Sequence, residues 1–137
     1  MATSFNAITR YYQACWDSKL PVTELVAQFF NRDAYLTYHA LDDPLINFDC
    51  RGREEICDQF FKPWANITNR SGTIVCEFSC EQIQQSVYKV CYYIIQQHHE
   101  TKYALLIHDV IRLGEDLSIV GYHGQRRWRK NVSKKDT

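Results

Sequence analysis

Val87-Tyr88-Lys89-Val90-Cys91-Tyr92-Tyr93-Ile94-Ile95-Gln96-Gln97-His98 is followed, four residues later, by Tyr103-Ala104-Leu105-Leu106-Ile107-His108-Asp109-Val110-Ile111-Arg112-Leu113. Both runs are crowded with β-branched and aromatic residues, the types that suit a pleated, half-buried surface. They predict two long strands joined by a tight connection. Upstream, Thr73 to Gln84 reads the same way. Downstream, Gly114-Glu115-Asp116 is a turn signal, and Leu117 to Arg129 reads as a fourth strand. Four long strands joined by short turns form a curved antiparallel meander. Both faces of the Val87 to His98 run are apolar, so each face is expected to meet something.

Outward toward the N-terminus the period changes from two to that of a helix. Thr3 or Ser4 can cap a first helix, in which Phe5, Ile8, Tyr12 and Cys15 make an apolar stripe. Tyr11 lies beside that stripe with Ala7 and Ala14. Asp17-Ser18 breaks the run, and Pro21 suits the first turn of a second helix. That helix carries Val22, Leu25, Val26, Phe29 and Phe30, and ends at Asn31-Arg32-Asp33. Ala34 to Leu41 is an expected first strand, Asp42-Asp43-Pro44 a turn, and Leu45 to Phe48 a short extended piece. A third helix begins near Arg53, presents Ile56, Phe60 and Trp64, and is ended or kinked by Pro63. Helices grouped before a meander indicate an α+β fold. The expected architecture is a cone-like curved antiparallel sheet wrapped around three helices, with a pocket inside the cone. Residues 1–130 form a single domain, and residues 131–137 a basic polar tail.

The chain has 137 residues, sixteen basic and sixteen acidic side chains, and nine tyrosines. The cancelled charge argues against nucleic acid as a partner, because phosphate contacts need a basic footprint. Arg126, Arg127, Arg129, Lys130, Lys134 and Lys135 crowd the C-terminus and read as a solvated final strand and tail. No apolar run is long enough to span a bilayer, and Met1 to Arg10 lacks the pattern of a secretory signal. The expectation is a cytoplasmic protein whose six cysteines are free thiols. Cys15, Cys57 and Cys91 fall in apolar patterns, while Cys76 and Cys80 lie too far apart along a strand to bridge. Asn66-Ile67-Thr68 and Asn131-Val132-Ser133 match glycosylation sequons, which matter only after secretion. No CxxC pair occurs. His98, His99 and Glu100 sit together, but adjacent strand residues point apart, so no metal is expected.

The Tyr103 to Leu113 strand carries the most chemical information. One face holds Tyr103, Leu105, Ile107, Asp109 and Ile111. The other holds Ala104, Leu106, His108, Val110 and Arg112. Asp109 is the single charge on its face. If that face lines the cone, burial raises the pKa of the carboxyl and equips it to act as an acid at neutral pH. The alternative is an ion pair with Arg112 or Lys102, or exposure at a dimer face. His108, on the opposite face, reads as an interface residue.

Three local patterns resemble the nuclear transport factor 2-like superfamily over about residues 5 to 130. Phe29-Phe30-Asn31-Arg32-Asp33-Ala34 is similar to its approach to the first strand. Arg51-Gly52-Arg53-Glu54-Glu55-Ile56 is similar to the start of its third helix. Val110-Ile111-Arg112-Leu113-Gly114 with Leu117-Ser118-Ile119-Val120 resembles its penultimate hairpin. The superfamily includes steroid isomerases, SnoaL-like polyketide cyclases, limonene epoxide hydrolase, scytalone dehydratase and the transport factor itself, a binding protein. The steroid isomerases place a helix tyrosine and a strand aspartate around one oxygen. By motif that resemblance implies Tyr11 and Asp109. The isomerase base is an aspartate on the first strand, where this chain has Tyr38, with His39 beside it on the opposite face. His123, two residues past Gly121, falls where related enzymes often place an acid or base.

Two functions stay open on the sequence. One is a cofactor-independent acid-base enzyme of isomerase, dehydratase, cyclase or epoxide hydrolase type. It would act on a small hydrophobic molecule with Asp109, Tyr11, Tyr38, His39 and His123 as candidates. Trp16, Trp64, Tyr103 and Ile107 would line its pocket. The other is a non-catalytic binding module, its cone plugged by Trp16, Trp64 or Tyr103. In either case a homodimer is expected through the sheet face, with Tyr88, Val90, Tyr92 and Ile94 or their alternates exposed to it.

Overall fold

The computed structural model describes residues 3–17, 19–41, 47–67, 74–98 and 101–130. Helix α1 spans Ser4–Cys15, and Thr3 caps it by accepting a hydrogen bond from the Asn6 amide at 3.1 Å. Its buried residues are Ile8, Tyr11, Tyr12 and Cys15. Phe5, at the head of the expected stripe, is instead exposed and packs edge-on against Tyr88. Helix α2 spans Val22–Phe29 with Pro21 just before it. The chain then passes straight into strand β1, Phe30–Ala40, with no intervening loop at Asn31 to Asp33. A register irregularity between Phe30 and Tyr35 takes up the change of direction.

Strand β2, Asn47–Arg51, pairs antiparallel with β1. Gly52 follows at φ 82°, a left-handed conformation that glycine adopts without strain. It turns the chain into α3, Gly52–Glu55. That helix runs through a π-helical turn at Ile56–Phe61 into α4, Lys62–Ile67. Pro63 therefore does not end the third helix. It lacks the N–H that would close onto residue 59, and the widened turn immediately before it absorbs the missing bond. The π turn buries Ile56, Cys57, Phe60 and Phe61.

Four long strands follow: β3 (Ile74–Gln84), β4 (Val87–His98), β5 (Thr101–Leu113) and β6 (Ile119–Lys130). They pair antiparallel in sequence order, as the meander requires. The sheet does not stop there. β1 lies parallel to β6, so the order is β2-β1-β6-β5-β4-β3 and the sheet is mixed. It is curved and unclosed, and its inner face and the helices share one core. Strand alternation decides what enters that core. Leu36, Tyr88, Val90, Tyr92, Ile94, Leu105, Ile107, Ile111 and Tyr122 all point inward. Tyr88, Val90, Tyr92 and Ile94 are thus not an exposed dimer face. Their alternates Lys89, Cys91, Tyr93 and Ile95 occupy the outer side, half-buried.

All six thiols are free. Among the described residues no helix is long and apolar enough to cross a membrane. The 131–137 tail, the Asn131-Val132-Ser133 sequon, Thr68 of the other sequon, and His99 and Glu100 lie outside the described residues.

Candidate functional site

Asp109 sits in the middle of β5 on the inner face, and none of its surface is exposed. Its cross-strand neighbours are Val90 on β4 and Gly124 on β6. Gly124 makes room for it. A Cβ there would lie 3.0 Å from Tyr122 Cε1, 3.2 Å from Asp109 Oδ1 and 3.3 Å from Arg126 Nη1. Two residues further along the same face of β6, Arg126 reaches back over the glycine. Its Nη1 donates to Asp109 Oδ1 at 2.5 Å. Nη1 also donates to the Gln125 carbonyl, and Nη2 to the Tyr122 hydroxyl at 3.0 Å. Asp109 Oδ2 accepts from the hydroxyls of Tyr12 and Tyr122, each at 2.5 Å. Four side chains from α1, β5 and β6 thus close a buried network.

The physical logic is charge compensation in a dry interior. An unpaired buried charge is very unfavourable, and a pair is tolerated when further hydrogen bonds saturate it. Burial by itself would push the Arg126 guanidinium down, but Asp109 beside it holds it well above its usual value. The guanidinium also stands over the rings of Tyr38, at 5.5 Å, and Phe60, at 6.0 Å. Its Nε is buried without a partner among the described residues. Burial, then the Asp109 charge, raises the Tyr12, Tyr92 and Tyr122 hydroxyls well above 10.0, so all three stay neutral donors near neutrality.

This arrangement corrects several expectations. Asp109 is not a lone acid in an apolar pocket. It is half of an ion pair, and its partner is Arg126, not Arg112 or Lys102. Arg126 is 3% exposed, so it does not belong to a solvated basic run. The α1 tyrosine on Asp109 is Tyr12, not Tyr11. One residue along a helix is a rotation of about 100°, which turns Tyr11 toward Phe29, Phe30 and Tyr122 instead. Tyr38 faces inward and packs on Phe60. His39 and His123 are exposed on the other face, where His123 Nδ1 meets the Thr37 hydroxyl and its ring meets Tyr35. Neither histidine approaches Asp109. Arg126, Tyr122, Tyr12 and Tyr92 were missed. The available signal was parity, since Tyr122 and Arg126 share a strand face and Tyr12 lies in the α1 stripe.

A cleft of about 290 Å³ opens beside this network, lined by Thr9, Tyr12, Gln13, Trp16, Val75, Phe78 and Tyr92. Of the residues expected to line a pocket, Trp16 does so. Trp64 and Ile107 are buried in the core, Trp64 stacked on Phe60 and edge-on to Trp16. The side chain of Tyr103 falls outside the described residues. Tyr12 belongs to both regions, with its ring on the cleft and its hydroxyl on Asp109. Trp16 Nε1 donates to the Tyr92 hydroxyl at 3.2 Å. That bond occupies a lone pair and leaves the Tyr92 proton uncommitted by it. The cleft is therefore mainly aromatic, with the Tyr92 hydroxyl, Thr9 and Gln13 as the polar groups of its wall beside Tyr12, whose hydroxyl is given to Asp109.

No protein-family profile and no curated protein matches the sequence. Solved structures do match the fold. A protein of the SnoaL-like family from Agrobacterium tumefaciens, named as an isomerase, superposes with a TM-score of 0.60 at 15% identity, covering 91% of this chain and 98% of that one. A loop-truncation variant of IdmH gives 0.67 at 13% identity, covering 90% and 92%. A Bacillus subtilis protein also named as an isomerase gives 0.65 at 13% identity, covering 93% and 90%. The chain has the nuclear transport factor 2-like fold of the SnoaL-like proteins.

Proposed function

We propose that this protein binds a small hydrophobic molecule carrying a carbonyl or similar acceptor. The ligand lies in the cleft between α1, β3 and β4, and the Asp109 network forms the floor beneath it. The observation that carries this reading is the Tyr92 hydroxyl, whose oxygen is held by Trp16, in a cleft walled mainly by aromatic rings. An apolar body gains from burial among Trp16, Phe78 and Val75, and its oxygen accepts a hydrogen bond from the Tyr92 hydroxyl. The Trp16 bond to the same oxygen strengthens that donor through cooperativity.

Binding fits the residues better than turnover does. A general base is needed to move a proton, and His39 and His123 lie on the outer face. Asp109 has both oxygens committed to donors. Turnover of the isomerase or cyclase kind is a second reading, favoured by Tyr12 linking the cleft wall to the Asp109 carboxylate. It requires exchange of ketone α-protons into heavy water above the buffer rate, abolished in Tyr12→Phe. A buffer-level rate removes it.

The binding reading is tested with 2-acetylnaphthalene, followed by quenching of tryptophan fluorescence. Wild type should saturate. Tyr92→Phe should bind this ketone about 3- to 10-fold more weakly, the worth of one neutral hydrogen bond. Ethylnaphthalene, which has no carbonyl, should bind both proteins alike. No saturable quenching, or a Tyr92→Phe variant with unchanged ketone affinity, refutes the assignment.

A further inference from the structure

A second concavity lies at the junction of α1, α2, β1, α3 and the β5–β6 turn, away from the aromatic cleft. It has a volume of about 540 Å³, and Arg10, Arg32 and Arg53 all line it. Arg10 comes from α1, Arg32 from β1 and Arg53 from the first turn of α3, so three separate elements each bring one cation. Among the described residues none of the three forms an ion pair with a carboxylate. Arg53 is held in place by donating from Nε to the Phe30 carbonyl at 2.9 Å, which leaves both of its terminal nitrogens for other partners.

Among the described residues the only acid in the wall is Asp116. It is tied into its own turn, accepting from the Ser118 amide at 3.1 Å and the Ser118 hydroxyl at 2.7 Å. These bonds to Ser118 lower its pKa. Leu117, between them, adopts φ 66°, a left-handed conformation that a leucine rarely takes. The turn thus accepts backbone strain while shaping one wall of the concavity. Asn6, Gln28 and Asn31 add neutral polar groups, and Phe29, Phe30 and Leu117 add apolar surface.

The whole chain is charge-balanced, sixteen against sixteen. Three guanidinium groups against one committed carboxylate is therefore a local excess. Like charges around one concavity repel, so folding alone does not favour the grouping. A doubly charged oxyanion would relieve the repulsion and accept several forked bonds at once, which is the chemistry that distinguishes arginine. We propose that this concavity is a binding site for a phosphate-bearing small molecule, held by Arg10, Arg32 and Arg53.

The concave shape favours a small molecule over an extended acidic segment of another protein, and the experiment separates the two. Inorganic pyrophosphate, phenyl phosphate and a hexaglutamate peptide are titrated calorimetrically into the full chain at constant ionic strength. The same titrations follow on the double variant Arg10→Gln with Arg32→Gln, both at exposed positions. Wild type should bind pyrophosphate or phenyl phosphate saturably at one site. The double variant should lose at least about 100-fold in affinity, as expected when two charge-assisted contacts go. Preference for pyrophosphate assigns a diphosphate ligand, and preference for phenyl phosphate assigns a monoester with an organic body. In the absence of ligand the double variant should melt no lower than wild type, since it removes repulsion. Absence of saturable binding to wild type, equal binding by the variant, or tighter binding of hexaglutamate than of either phosphate overturns the proposal.

Discussion

Asp109 and Arg126 define the residue scale of this protein. Each is buried, and each is tolerable only because the other is there. Asp109→Asn leaves a guanidinium uncompensated in the core, and should destabilise the fold by about 3–5 kcal/mol. Arg126→Met leaves the carboxylate with two tyrosine donors and should be comparably harmful. Because both substitutions break one interaction, the double variant should lose markedly less than the sum of the singles. Denaturant unfolding of the four proteins checks this, and additive losses would mean that the two charges are not coupled. The strand pattern placed Asp109 as the one charge on an apolar face, and the structure turns that face inward. It did not announce the partner, because Arg126 is seventeen residues away and sits in a run of basic residues that reads as surface. Only the β5–β6 register, with Asp109 opposite Gly124, brings them together. Tyr11 and Tyr12 show a finer ambiguity. Adjacent tyrosines on a helix are both apolar enough to be buried, and a motif alignment cannot resolve a rotation of one residue.

At the scale of elements, the sequence determines strands better than junctions. The long β-branched runs fixed β3 to β6 within a few residues, since nothing else suits such composition. The α2–β1 junction was harder to read, because polar Asn31 to Asp33 resembles a loop and is in fact strand. The π turn was not legible either. A widened helix has no composition of its own, and only Pro63 hinted that the ladder was interrupted. Gly52 is the junction with the clearest energetic consequence. Its φ of 82° is left-handed, and a Cβ there would meet nothing nearer than the Arg32 carbonyl at 3.8 Å. Gly52→Ala therefore carries backbone strain without a clash, and should destabilise by about 1 kcal/mol. Thermal unfolding measures the loss. An unchanged melting temperature would show that the β2–α3 turn relaxes freely.

At the scale of the whole molecule, the parallel contact of β1 with β6 turns a meander into a wrapped sheet. Nothing local encodes that contact, because it joins the two ends of the chain. The interior it encloses is filled by aromatics, leaving the cleft at the α1–β3–β4 side. Tyr11, Tyr12, Tyr92 and Tyr122 are all buried, and burial raises each well above 10.0. The folded state thus holds these protons more tightly than the unfolded chain, whose tyrosines titrate near pH 10. Their contribution to stability is complete below about pH 10 and is lost as the pH rises beyond it. Alkaline unfolding should be cooperative, with four of the nine tyrosines ionising only as the fold is lost. Smooth ionisation of all nine before unfolding would contradict this enclosure. The most direct test of the central claim, that the aromatic cleft over the Asp109 network is the ligand site, is an NMR measurement of intermolecular nuclear Overhauser effects from bound 2-acetylnaphthalene. The account predicts contacts from the ligand to the methyl groups of Thr9 and Val75 and to the ring of Phe78. Contacts elsewhere on the molecule, or none at saturating ligand, would contradict it.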